Sequence, residues 1–223
     1  SGLTGGDAKK LYAYRRQGYM GQEVLSAAAY AVGISEVNAV MGRIVACPTA
    51  GSCGIVPAAL YAARQQKKLK DEHIVMALFT AAGIGMVVDQ NASIAGAEGG
   101  CQAEIGAASA MAAGAAAELF GADPETVLSA AASVLGTMLG LVCDPIGGLV
   151  EAPCQKRNAV GASNALVCAE MSLAGVKNLI PFDEMVEVMY KVGRSIPYEL
   201  RETAIGGIAA SPTACALCGR CGN

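Results

Sequence analysis

The sequence has no tryptophan, three phenylalanines and one histidine, and aromatic residues make up 4% of its 223 positions. A core without large rings has to be closed by tight contacts between small side chains, and segments such as EIGAASAMAAGAAAELF at 104–120 carry almost no bulk until their end. The lone histidine, His73, lies in KKLKDEHIV at a charged helix start and reads as a solvated side chain, so no histidine of this chain is expected to do catalysis. Basic residues are few as well: 16 against 19 acidic ones give a net charge of −3, with no basic cluster beyond Lys67, Lys68 and Lys70, which argues against nucleic acid as a partner. Alternating apolar and polar residues of the strand type are not found.

Long hydrophobic runs are also missing, although 53% of the residues are hydrophobic. The longest uncharged stretch, Thr126 to Cys143, includes Ser129, Ser133, Thr137 and several alanines, whereas a spanning helix needs about 20 mostly apolar residues. It reads as a buried helix of a soluble bundle, with no membrane involved, and its Gly136-x-x-x-Gly140 pair reads as close helix packing. No charged leader with an apolar stretch and cleavage site is present, so a cytoplasmic location is expected. Ser1 stands first, and GLTGGD at 2–7 reads as the inside of a domain, so further residues are expected to precede it.

What is present is helix nearly everywhere. Asp123-Pro124-Glu125 supplies an N-cap, a proline at the first helical position and an acid in the first turn; Leu128, Ala131, Leu135, Met138 and Leu139 then recur at helical spacing, and the helix ends near Gly140. Similar patterns predict a helix from Asp183 to about Gly193, with Met185, Val188 and Met189 inward, and others over about 22–32, 36–46, 54–69, 72–88, 102–119 and 159–174. The fold class is therefore all-α, a compact Ala/Gly-rich bundle. No linker, charge block or repeat divides it, so residues 1–213 read as one helical domain and 214–223 as a Cys-rich tail.

Nine cysteines are many for a chain with an ample core and no secretory signal, which favours metal or redox chemistry over a disulfide framework. Cys47, Cys53 and Cys168 sit among small apolar residues, as inert buried thiols do. The others fall in Gly-rich turns: NASIAGAEGGCQAEIG at 91–106, CDPIGG at 143–148 and APCQKRNAVGASN at 152–164, alongside CPTAGSCG at 47–54. Glycine lets backbone approach a ligand, so such turns converging in one bundle would line a pocket with N–H groups. Cys101, Cys143 and Cys154 each read as lying at a loop-to-helix junction.

These blocks, together with GLTGGDAKKL, SEVNAVMG, PTAGSCGIVP and RETAIGGIAASPT, resemble the alpha chain, or catalytic domain, of the iron–sulfur L-serine dehydratases, from Gly2 to Thr213. The resemblance implies a 4Fe–4S cluster held by Cys101, Cys143 and Cys154, a ligand set whose spacing matches no short ferredoxin run. It implies elimination of water from L-serine to give pyruvate and ammonia without pyridoxal phosphate; Lys156 is the only lysine in a Gly-rich junction that a pyridoxal enzyme would have to use. Lys156 and Arg157 stand at a helix start, where the dipole does not favour cations, and are the candidate catalytic residues as contacts for an anion. Thr49, Ser52, Asn91 and Asn158 are candidate substrate contacts, with Ser93 behind them, and Glu98, Glu104 and Glu151 are candidates for orienting the site. A beta chain is expected as partner, in a heterodimer or larger oligomer, bringing a Ser-rich, His-containing loop. In the tail, Cys215, Cys218 and Cys221 have C-x2-C-x2-C spacing, and Cys215 stands nearest the position from which family termini cap the open iron. A cysteine desulfidase-type lyase, a cluster carrier using the tail, and a helical subunit with inert thiols are the alternative readings.

Overall fold

The computed structural model describes residues 2–218; Ser1 and Cys221 lie outside the described residues. Within them the chain is all helix and turn, with one isolated bridge, between Cys143 and Arg201, in place of any sheet. The helices are α1 (Asp7–Tyr14), α2 (Gln22–Ala39), α3 (Ile55–Lys67), α4 (Asp71–Asn91), the single turn α5 (Gly96–Gly99), α6 (Ala107–Leu119), α7 (Pro124–Met138), α8 (Cys154–Leu173), α9 (Phe182–Ser195) and α10 (Pro212–Cys218).

Helix α6 is the centre, packed against α3, α4, α7 and α8, and every residue from Ala107 to Ala117 is buried. A helix hidden on all sides has to be thin, and alanine makes it so. Glycines bring its neighbours closer still: a Cβ on Gly85 of α4 would stand 2.9 Å from the Met111 sulfur, and one on Gly114 would stand 2.2 Å from Ile84. Around this core, α2 packs on α3 and α8 and carries α1, while α9 covers α7 and α5.

Several elements differ from the sequence-based expectation. Helix α1 is an addition. Helix α2 runs unbroken through Gly33, where a Cβ would stand 3.4 Å from the Ala8 side chain of α1, and the helix expected over 36–46 ends instead at Ala39. Met41, at φ 60°, turns the chain there, and Gly42 closes the cap by donating its N–H to Val37 O at 2.8 Å. In α7, Asp123 caps the Thr126 amide at 2.8 Å as expected, but Leu128 is exposed and Val127 and Val134 take the inward places. Gly136 packs on Met185 of α9, whereas Gly140, at φ 80°, lies past the helix end. In α9, Phe182 and Val186 share the buried face with Met185 and Met189, and Val188 is only half-buried.

Among the described residues, α4 is the one helix long and apolar enough by composition to cross a membrane. It lies across α6, and Val75, Met76, Phe79 and Met86 are exposed along its other face. The first part of the Cys-rich tail is α10, which rests on the turns at Ile146–Gly148 and Gly207–Ala210.

Two glycines test this packing in opposite directions. A Cβ on Gly54 would stand 2.4 Å from the Ala31 carbonyl oxygen, so Gly54→Ala is expected to lower stability by about 1–3 kcal/mol, as overpacking against backbone does. Gly83, inside α4, has nothing within 4 Å of that position, and Gly83→Ala is expected to raise stability by about 0.5–1 kcal/mol. Urea unfolding of the two variants against the parent chain checks both signs.

Candidate functional site

The three turn cysteines are buried, at 1% exposure for Cys101, 3% for Cys143 and 6% for Cys154, and none forms a disulfide. Cys101 follows Gly100, whose φ of 73° reverses the chain, and leads into a π-helical turn, Gln102–Gly106, that runs into α6. Gln102 secures this turn: its side-chain nitrogen donates to Met189 O at 2.7 Å and its side-chain oxygen accepts the Gly140 N–H at 2.9 Å. Cys154 opens α8, which begins five residues before the position expected from the sequence. Cys143 is not at a helix start. It lies in an extended segment, donating its N–H to Leu200 O at 2.8 Å and accepting the Glu202 N–H at 2.7 Å.

The Cys101 and Cys143 sulfurs and a Glu104 carboxylate oxygen lie within 4.8 Å of one another. The hydrogen bond with Cys101, and then burial, hold the Cys143 thiol far above the ordinary thiol range. Burial pushes Cys154 up to about 12, with Cys101 and Glu104 adding to the rise and Arg157 opposing it. Thiols in such surroundings keep their protons until a metal takes their place.

Glu104 faces the turn at 47–54. The Thr49 hydroxyl donates to its carboxylate and lies 3.0 Å from Ser52 Oγ. Burial raises the Glu104 pKa, the Thr49 hydrogen bond opposes the rise, and the charge of Glu202 adds to it. Arg157 extends from the first turn of α8: Nη2 pairs with Asp144 Oδ1 at 2.8 Å and Nη1 donates to Val142 O at 2.9 Å. Asp144 is 2% exposed, and its Oδ2 accepts the Ile208 N–H at 2.7 Å. Asn158 is fully buried; its amide donates to Gly51 O and Cys154 O and accepts the Gly54 N–H.

The remaining candidates lie elsewhere or turn to other partners. Lys156 is exposed and lines a groove of about 980 Å³ with Thr4, Asp7, Lys10, Tyr14 and Glu151. Glu151 is buried and holds the N-terminal segment, accepting the Thr4 N–H at 2.8 Å. Asn91 bonds back to Val87 O on its own helix, and Ser93 donates to Glu98 at 2.7 Å. His73 is exposed at the start of α4. The Cys215 sulfur lies 4.0 Å from Ala209 O, and Cys218 packs beside Gly147. Cys53 and Cys168 are buried and raised to about 11 by that burial, while Cys47 is half-buried. Sequence reasoning missed Gln102, Asp144 and Glu202. Asp144 had a local signal, an acid set between a cysteine and a proline in an apolar run.

The donors fit a sulfur-ligated metal group. Two soft sulfurs and a carboxylate oxygen are gathered in a buried space, with a third free, buried thiol on Cys154, and sulfur is the donor type that iron–sulfur clusters and zinc take. Beside Cys143 the backbone of Gly96 leaves a notch: a Cβ there would stand 2.9 Å from the sulfur.

A family model described as serine dehydratase alpha chain matches residues 1–209. The chain is 54% identical over 215 residues to the probable L-serine dehydratase alpha chain of Bacillus subtilis, a match covering 96% of this chain and 72% of the relative. It is 50% identical over 213 residues to the L-serine dehydratase alpha chain of Peptoniphilus asaccharolyticus, covering 95% and 73%. Against L-serine dehydratase 2 of Escherichia coli, identity is 41% over 188 residues, covering 83% of this chain and 41% of that longer one.

The Asp144–Arg157 pair gives a direct test of the site's construction. Asp144→Ala leaves a largely buried guanidinium without its counter-charge and is expected to cost about 3–5 kcal/mol, measured by urea unfolding. Removing both partners in the double variant is expected to cost less than the sum of the two single changes, the signature of a coupled pair in a double-mutant cycle.

Proposed function

The chain belongs to the serine dehydratase alpha-chain family, and from that premise we propose that it is the catalytic chain of an L-serine ammonia-lyase, forming pyruvate and ammonia with a 4Fe–4S cluster on Cys101, Cys143 and Cys154 and without pyridoxal phosphate. The observation that carries the reading is the meeting of two free, buried thiols, Cys101 and Cys143, with the Glu104 carboxylate, while a third free and buried thiol, Cys154, opens the helix from which Arg157 pairs with the residue after Cys143. When bound, such a cluster supplies Lewis acidity at an iron that no cysteine holds, which eases departure of the poor hydroxide leaving group.

The reaction is redox-neutral. The α-hydrogen leaves as a proton, its electron pair forms the Cα–Cβ double bond, and the Cβ–O bond breaks with its electrons going to the departing hydroxide. The aminoacrylate tautomerises to an imine, and water then releases ammonia and pyruvate. The chain's own part is to exclude bulk water and hold its ligands. Arg157 sets positive charge beside the first turn of α8, which opposes the rise that burial gives the Cys154 thiol. Asn158 keeps the 47–54 turn in register with the first turn of α8, so that Thr49 and Ser52 offer hydroxyls to the amino acid. The proton acceptor comes from the beta chain, a partner that the alpha-chain names of the relatives support.

Anaerobic reconstitution with iron and sulfide tests this. The parent chain is expected to turn brown with a cluster spectrum that responds to L-serine, and to form pyruvate from serine once the beta chain is supplied. Cys101→Ala, Cys143→Ala and Cys154→Ala are each expected to lose the cluster. A cluster that survives Cys101→Ala but is lost on deleting residues 214–223 would make the tail its carrier and defeat the assignment.

A further inference from the structure

Serine is a zwitterion, so a site that binds it needs an anion for the ammonium as well as donors for the carboxylate. Three carboxylates stand around the thiols. Asp144 is buried and has both oxygens engaged, by Arg157 and by the Ile208 N–H. Glu104 is half-buried and bonded by Thr49. Glu202 alone is exposed, and among the described residues its carboxylate makes no hydrogen bond or ion pair.

We propose that Glu202 binds the ammonium group of the substrate, an inference that rests on reading the site as a serine ammonia-lyase. Its position supports the assignment. The Glu202 carboxylate and the Cys143 sulfur both border the notch left by Gly96: the Cβ that glycine lacks would stand 3.3 Å from Glu202 Oε2 and 2.9 Å from Cys143 Sγ. A Cβ there would crowd both groups. The backbone that carries the carboxylate is also paired with that of Cys143, because the Glu202 N–H donates to the Cys143 carbonyl at 2.7 Å while the Cys143 N–H donates to Leu200 O at 2.8 Å. The residues that carry the anion and the sulfur are therefore neighbours in one short ladder.

The backbone of Glu202 has a φ of 64°, in the left-handed region where glycine is the residue of least strain. Glutamate brings little packing to that position, since it is exposed and its carboxylate has no hydrogen-bond or ion-pair partner among the described residues. Its carboxylate is what distinguishes it from the glycine that the backbone would prefer. An anion there selects α-amino acids over the corresponding hydroxy acids, and binds the ammonium beside the sulfur that carries the metal group.

The test uses the full chain co-produced with its beta chain and loaded anaerobically with iron and sulfide, reading the change in the cluster spectrum on titration with L-serine. Glu202→Gly removes the carboxylate while relieving the backbone, so it is expected to fold and load as the parent does; Glu202→Gln keeps the shape. Both are expected to weaken serine binding on the order of 10- to 100-fold, the range for losing a charge-assisted hydrogen bond, and to raise KM more than they lower kcat. Titration with 3-hydroxypropanoate, which keeps the hydroxyl and carboxylate but has no ammonium, is expected to be the same in parent and variants. Serine binding unchanged in Glu202→Gly overturns the assignment, as does an equal loss for both compounds or a variant that fails to load its cluster. A parent cluster that ignores serine altogether defeats the reading of the site itself, which is a separate failure.

Discussion

Asp144 places one carboxylate oxygen 2.8 Å from the Arg157 guanidinium and the other 2.7 Å from the Ile208 amide, and the arrangement of the site follows from those two contacts. Asp144 is the residue after Cys143, Arg157 lies one turn into the helix that Cys154 opens, and Ile208 belongs to the C-terminal segment. Arg157 continues the chain of contacts to Val142 O. Charges this deeply buried persist only when paired and hydrogen-bonded, so the pair cannot separate cheaply. The same carboxylate dictates a glycine: Gly207 has a φ of 61°, and a Cβ on it would stand 2.3 Å from Asp144 Oδ2.

Such contacts between distant turns require the helices beneath them to lie close, and this is the work of the small residues. Helix α6 is buried from Ala107 to Ala117, and Gly54 sits so near α2 that the Ala31 carbonyl occupies the place of its side chain. That approach brings the 47–54 turn under α8, where Asn158 bonds Gly51 O, Cys154 O and the Gly54 N–H at once. A buried amide with all these partners costs little to desolvate, and it transmits the position of the turn to the first residue of α8.

Local chemistry made part of this legible in the sequence. The Asp123 cap, the proline after it and the small-residue helices were readable because caps and periodicity act over a few residues. The start of α8 was not, because Gln155, Lys156, Arg157 and Asn158 look like loop when their partners are unknown. Leu128 and Val127 exchanged roles for a similar reason: a face shifted by one position is set by what packs on it. Cys143 was the sharpest difference. Its extended segment is held by residues 200–202, and a pairing across that separation leaves no local pattern. The part of the site that depends on Gln102 and Glu202 was invisible on the same ground, whereas the thiol-bearing turns stood out by composition and Asp144 carried a local signal between a cysteine and a proline.

The polar groups around the thiols divide by how many partners the chain has already given them. Gln102, Asp144, Arg157 and Asn158 are engaged with backbone or with one another, so their chemistry is spent on position. Thr49 and Ser52 are engaged with Glu104 and with each other, and among the described residues the Glu202 carboxylate has no such partner. Preorganisation favours this division, since ligands that must be held to a fraction of an ångström need supporting contacts, while a substrate must displace only weak or absent ones to enter. The chain thus spends its rigid groups on position and leaves an exposed carboxylate beside them, while its single histidine, His73, stands away at the exposed start of α4.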